Sequence, residues 1–137
     1  MKLRVLTLVS IFLSLSTTLS AQNGRPSPAE MEKQLYEYVE KEVNKYESIL
    51  NLKGWQVFYA DSILTHNLKA MQAEYNDYAD RKVGNADLYQ KVADKWNEKT
   101  FVAMRAILND QQWAKYLKTG AGKEKKARDK RKEKEGK

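Results

Sequence analysis

The only histidine of the chain, His66, stands four residues after Ser62, a spacing that sets both side chains on one face of a helix. A hydroxyl beside an imidazole is the starting material of nucleophilic catalysis, the ring taking the proton of the attacking oxygen. Helical neighbours at that spacing touch routinely, so the pair alone specifies no chemistry. Asp77 and Asp80 would be the matching candidates for acid and base, yet two carboxylates on a polar helix face are ordinarily solvated. No glycine-rich loop of the kind that cradles phosphate is present. Heavy-metal binding asks for His, Cys or clustered Met. The chain has no cysteine, and past its first residue the methionines are Met31, Met71 and Met104, one to each long helix. The expectation is a protein that is not an enzyme and uses no metal or cofactor.

Adhesion is better provided for. Eight tyrosines and three tryptophans give large contact areas with a polar handle, which suits interfaces more than catalysis. Trp55, Phe58 and Tyr59 are the densest group, and Ile63 and Met71 follow on the same helix. These five are the expected contacts for apolar segments of a partner. Tyr36, Tyr38 and Tyr89 are expected to line the core with their hydroxyls at its rim.

The elements that must position these groups are helical throughout. Ser27-Pro28-Ala29-Glu30 is a helix start, with Ser at the cap, Pro at the first helical position and Glu at the third. From there Met31, Leu35, Val39, Val43, Tyr46 and Leu50 recur every three or four residues and define a first helix. A second spans about 54–83 along the stripe Val57, Ala60, Leu64, Leu68, Met71, Tyr75 and Tyr78, close to a coiled-coil seam. Gly84 breaks the pattern, Asn85 caps a third helix over about 86–108, and a short fourth covers 110–118. The second helix also carries Trp55, Tyr59, Ile63, His66 and Ala70 nearly opposite its seam. A helix apolar on both sides must be covered on both. This second row therefore either packs against another subunit or the fourth helix, or stays open as a binding surface.

Two corners of the chain share one pattern. Leu52-Lys53-Gly54-Trp55-Gln56 and Leu108-Asn109-Asp110-Gln111-Gln112 are both Leu-x-x-x-Gln, each between two helices. In such a unit the residue after Leu is the N-cap, the Gln three positions later reaches back to the cap N–H, and the Leu is an apolar staple. Asn109 is a good cap; Lys53 is not, which leaves Asn51 as the alternative cap of the first corner. Leu52, Gln56, Leu108, Asn109 and Gln112 are accordingly assigned to structure. The pair resembles the twin LTxxQ motifs of the Spy/CpxP family of periplasmic chaperones and stress adaptors, over residues 28–117. The resemblance implies an antiparallel homodimer of long curved helices whose concave side holds unfolded client proteins. The family's cradle is basic on that side, whereas this body is close to neutral.

The two ends of the chain differ from its body. Lys2 and Arg4 precede an uncharged apolar run over 5–19 and the small residue Ala21, the layout of a signal peptide over 1–21, followed by a linker over 22–27. Export to the periplasm with cleavage near Ala21 is the expectation, and exported context with a near-neutral body argues against nucleic acid as a partner. From 118 to 137, ten Lys and Arg stand against four Asp and Glu, a surplus of +6; over 22–117 thirteen stand against fourteen, giving −1. The tail over 119–137 has no apolar residue larger than Ala, so disorder is expected. It would serve as a solubilising extension, as an attachment to anionic envelope material, or as a lure for acidic clients. The sequence reading is thus an exported all-α, four-helix homodimer that holds unfolded proteins without ATP. Its alternatives are an envelope-stress adaptor binding one partner, such as a sensor-kinase domain, and an envelope tether acting through the tail.

Overall fold

Ser27 opens the fold as its sequence requires: its Oγ accepts from the Glu30 N–H at 3.2 Å, and Glu30 Oε2 accepts from the Ser27 N–H at 2.7 Å. The computed structural model describes residues 26–136; the signal-peptide and most of the linker expectations lie outside them. Among the described residues there is no strand. Helix α1 is Pro28–Leu50, α2 Gly54–Asp80, α3 Ala86–Ile107 and α4 Asp110–Tyr116. A wide turn, Leu117–Ala121, leads into α5, Gly122–Glu135. The all-helical class and the four helices of the body agree with the sequence.

Helix ends explain the small differences from expectation. Helix α2 stops at Asp80 because Lys82 takes a left-handed conformation, φ 55°. The Lys82 N–H then donates to Ala79 O and the Val83 N–H to Tyr78 O, the paired bonds of a Schellman stop. Asn51 behaves in the same way at the end of α1: it is left-handed, φ 52°, and the Leu52 N–H returns to Glu47 O. Asn51 therefore closes α1 and does not cap α2. Lys53 occupies the N-cap, and its side chain, having no acceptor, makes no capping bond.

Two clusters fill the interior. The larger joins Leu35, Val39, Val43, Tyr46 and Leu50 of α1 to Ala60 and Leu64 of α2, Met104 of α3 and Tyr116 of α4, with both corner leucines, Leu52 and Leu108, inside it. The smaller lies further along the α2–α3 pair around Met71, Val92 and Ala93. The seam of α2 is thus inward, as its spacing demands. Asn67 enters this interior paired, its Nδ2 donating to Thr100 Oγ1 at 2.9 Å.

The two corners hold each other. Gln56 Oε1 accepts from the Lys53 N–H at 2.9 Å, and Gln112 Oε1 accepts from the Asn109 N–H at 3.1 Å. Each Nε2 then crosses to the other corner. Gln56 Nε2 donates to Ile107 O at 2.7 Å and Gln112 Nε2 to Asn51 O at 3.4 Å, in each case the carbonyl just before the corner leucine. The two amides also bond to one another in both directions, at 2.7 and 3.0 Å. Both glutamines are buried, so this exchange replaces water completely. The capping role assigned to them from sequence is half of what they do.

Where disorder is expected of the tail, residues Gly122–Glu135 are helical. Helix α5 lies along α3, with Arg131 forking onto Asp94 at 2.7 Å through both Nε and Nη2. Arg128 Nε meets Glu98 at 3.2 Å, Lys125 Nζ meets the same carboxylate at 3.3 Å, and Glu135 meets Lys91 at 3.4 Å. Judging the segment by its lack of apolar side chains overlooked that α3 carries the matching acids.

Two outcomes follow for stability. Gln56→Ala and Gln112→Ala should each cost about 2–4 kcal/mol, since each strands the opposing amide and backbone groups in the core. In the double variant the costs should fall short of additive by about 1–3 kcal/mol, measured by urea unfolding; additivity would mean the amides do not act on each other. Lys53→Asn, at an exposed position, should raise stability by about 0.5–1 kcal/mol by supplying the missing cap acceptor.

Candidate functional site

The clasp decides where the first turn of α2 points. Gln56 and Ala60 are drawn inside, at 3% and 0% exposure, and the other side of that turn is swung outward. Trp55, Phe58 and Tyr59 emerge 52%, 67% and 51% exposed. Tyr59 stands edge-to-face against both, with ring centroids 6.2 Å from Trp55 and 5.6 Å from Phe58. Three large rings thus form one supported ridge on the surface beside the corner. Large apolar groups exposed together mark contact surfaces in soluble proteins.

The other two expected contacts lie elsewhere. Met71 sits inside the smaller cluster at 6% exposure, because it belongs to the inward seam of α2. Ile63 is half-buried and packs on the larger cluster. The second apolar row of α2 is therefore open at Trp55 and Tyr59 and closes toward Ile63. His66, further along, is exposed and faces the Trp96 ring edge-on at 6.4 Å. Among the tyrosines expected at the core rim, Tyr38 is half-buried, and Tyr89 donates its hydroxyl to Val83 O at 3.0 Å. Tyr36 is instead 47% exposed, with Lys69 Nζ bonded to its hydroxyl at 2.7 Å and lying over its ring.

Of the groups weighed for catalysis, Ser62 and Asp77 are engaged otherwise. Ser62 Oγ donates to Phe58 O at 2.9 Å, a bond within its own helix. Asp77 is paired with Arg81 at 2.9 Å. Among the described residues no three His, Cys, Asp or Glu side chains gather in a way that would hold a metal ion. No described helix is long and apolar enough to cross a membrane.

A second feature, absent from the sequence reading, lies beneath α5. A partly open cavity of about 100 Å3 is lined by Tyr38 and Tyr46 of α1, Leu64 and Leu68 of α2, Phe101 of α3 and Tyr116 of α4, with Glu124 and Arg128 above. Tyr46 and Tyr116 meet edge-to-face at 5.5 Å, and Phe101 packs on Trp113 at 4.8 Å. Burial holds these phenols neutral: Tyr116 and Tyr75 are pushed up to about 12, and Tyr38 and Tyr46 further still. Burial also raises Glu124, against the opposing charge of Arg128. At neutral pH the phenols of the lining are thus uncharged; beside them stand the polar groups Asn97, Thr100 and Thr119, and the ions Glu124 and Arg128 of α5 and Lys45 of α1. The cavity's sequence signal was available, since Tyr46 and Leu64 fall on inward stripes and Tyr38 is expected at the core rim; the roof was missed with α5.

No protein-family model matches the chain, and neither does a curated protein or a solved structure. The ridge, the clasp and the cavity are accordingly read from their own geometry.

The raised phenols predict alkaline unfolding. Tyrosines titrating near 10 in the unfolded chain lose protons before their folded counterparts, so stability falls as pH rises through the interval from 10 to about 12. Far-ultraviolet circular dichroism should lose helix across that interval in step with tyrosinate absorbance. Tyr116→Phe should move the onset upward. Tyrosinate forming fully near pH 10 with the helices intact would contradict the buried assignment.

Proposed function

We propose that this chain is an exported, ATP-independent chaperone that holds unfolded or damaged envelope proteins in the periplasm and limits their aggregation. The observation that carries this reading is the ridge of Trp55, Phe58 and Tyr59, three rings kept at the surface beside the most firmly held corner of the fold. Groups so exposed are disfavoured in water unless they meet apolar partners, and rings already fixed in place lose little entropy on binding. Without ATP, release must come from weak and rapid exchange, which a contact of three side chains provides. The resemblance of the twin corners to the LTxxQ motifs leads to the same function. It also leads to a homodimer in which two ridges border a shared concave surface.

The small extent of the ridge favours one other reading, an adaptor that docks a single envelope-stress partner such as a sensor domain. The two differ in breadth. A holdase suppresses aggregation of several unrelated proteins at near-stoichiometric ratio, and an adaptor does not.

Light scattering of two unrelated aggregating proteins should therefore fall in the presence of the full-length mature chain. Trp55→Ser, Phe58→Ser and Tyr59→Ser together should weaken that suppression roughly tenfold or more, as truncating central aromatic anchors does at interfaces. Thermal stability should be little changed, because the rings are exposed. Unchanged aggregation of both clients with the parent protein would remove the holdase reading. Sizing with light scattering reports the dimer in the same preparation.

A further inference from the structure

Helix α5 is held to the body by its charged side chains, through ion pairs and through the Arg128 guanidinium lying 5.6 Å over the Phe101 ring. It contributes no apolar side chain larger than Ala127, which is exposed. Its contacts are Arg131 on Asp94, Arg128 and Lys125 on Glu98, and Glu135 on Lys91. Lys125, Arg131, Lys91 and Glu135 keep contact with solvent while Asp94 is 13% exposed, so these pairs are open to partial screening. Arg128 is 3% exposed, and one of its guanidinium nitrogens, Nη2, is buried with no partner. A buried charge incompletely paired gains little net free energy from burial. The closed position is therefore weakly favoured.

The connection to α5 is built to turn. The last turn of α4 widens over Leu117–Ala121 and is broken by Gly120 at φ 112°, a backbone conformation that side chains other than glycine rarely adopt. What α5 covers is the aromatic cavity, roofed by Glu124 and Arg128. Its roughly 100 Å3 approaches the volume at which an apolar cavity accepts a benzene-sized group.

We infer that α5 is an ionically latched lid over a second client-binding cleft, which on opening accepts a large aliphatic or aromatic side chain of an unfolded polypeptide. The inference rests on the holdase reading for the identity of the occupant, and on the geometry for the lid. In the closed state α5 narrows access to the cleft, and the densest apolar group open to clients is the ridge. Screening or competition for Arg131 and Arg128 frees the lid, and Tyr38, Tyr46, Phe101 and Tyr116 become reachable.

Hydrogen exchange and an apolar-surface dye on the full mature chain test this. Between about 0.01 M and 1 M sodium chloride the Debye length falls from about 30 Å to about 3 Å. Protection of the α5 amides should drop roughly tenfold over that range, since several partly exposed pairs are screened together. Protection in α1 to α3 should be kept, and dye fluorescence should rise with the same salt dependence. Asp94→Asn with Glu98→Gln should produce the open behaviour at low salt, and the exchange Asp94→Arg with Arg131→Asp should restore closure. Exchange of α5 that ignores salt would overturn the lid, as would release of α5 without added dye binding. Neither readout involves a client, so failure of the holdase reading would appear in the aggregation assay alone.

Discussion

The reciprocal bond between Gln56 and Gln112 is the constraint on which the rest of the structure depends. A glutamine amide has two N–H donors and an oxygen with two lone pairs. Here each oxygen takes its own cap N–H and the opposing amide, and each nitrogen serves the opposing amide and the opposing corner's carbonyl. Every valence is filled, and filled by groups that the chain must satisfy in any case where two helices end. Corners formed 56 residues apart thus become a single junction. The larger cluster gathers around it, with Leu52 and Leu108 set inside by the same turns.

Much of this was legible in the sequence because helices advertise themselves by spacing. The stripe from Leu35 to Leu50 and the seam from Ala60 to Met71 named the inward faces, and Ser27 and Asn109 named caps that form as written. Legibility stopped where one residue's role depends on another far away. Gln56 read as a cap in isolation; only the fold brings Gln112 to it. Met71 read as a contact because it shares a helix with Trp55, although its own seam position sends it inside. Asn51 was weighed as a cap for the helix that follows, whereas its left-handed φ serves the helix before.

Helix α5 shows a different limit. Apolar content predicts what a segment can bury, and by that measure residues 119–137 should not fold. Asp94 and Glu98 lie one turn apart on α3, and Arg128 and Arg131 lie three apart on α5, so the two helices match charge for charge. Such matching is invisible to a count of net charge, which sums the tail to a uniform basic run. It also yields a docking of a different kind from the core. Packed side chains come apart only when the fold does; partly solvated ion pairs respond to salt while the core stays intact.

The clasp and the ridge are then two consequences of one corner. Drawing Gln56 inward to meet Gln112 fixes the rotation of α2 about its axis at its first turn. That rotation leaves Trp55, Phe58 and Tyr59 nowhere to go but outward. Exposed rings are a liability for a small domain, since they lower solubility and contribute nothing to its interior. Their placement beside the most satisfied polar junction limits that liability, because the local backbone does not have to yield when a partner is gained or lost. The corner thus holds the ridge in one shape with bonds the helices would have to make anyway.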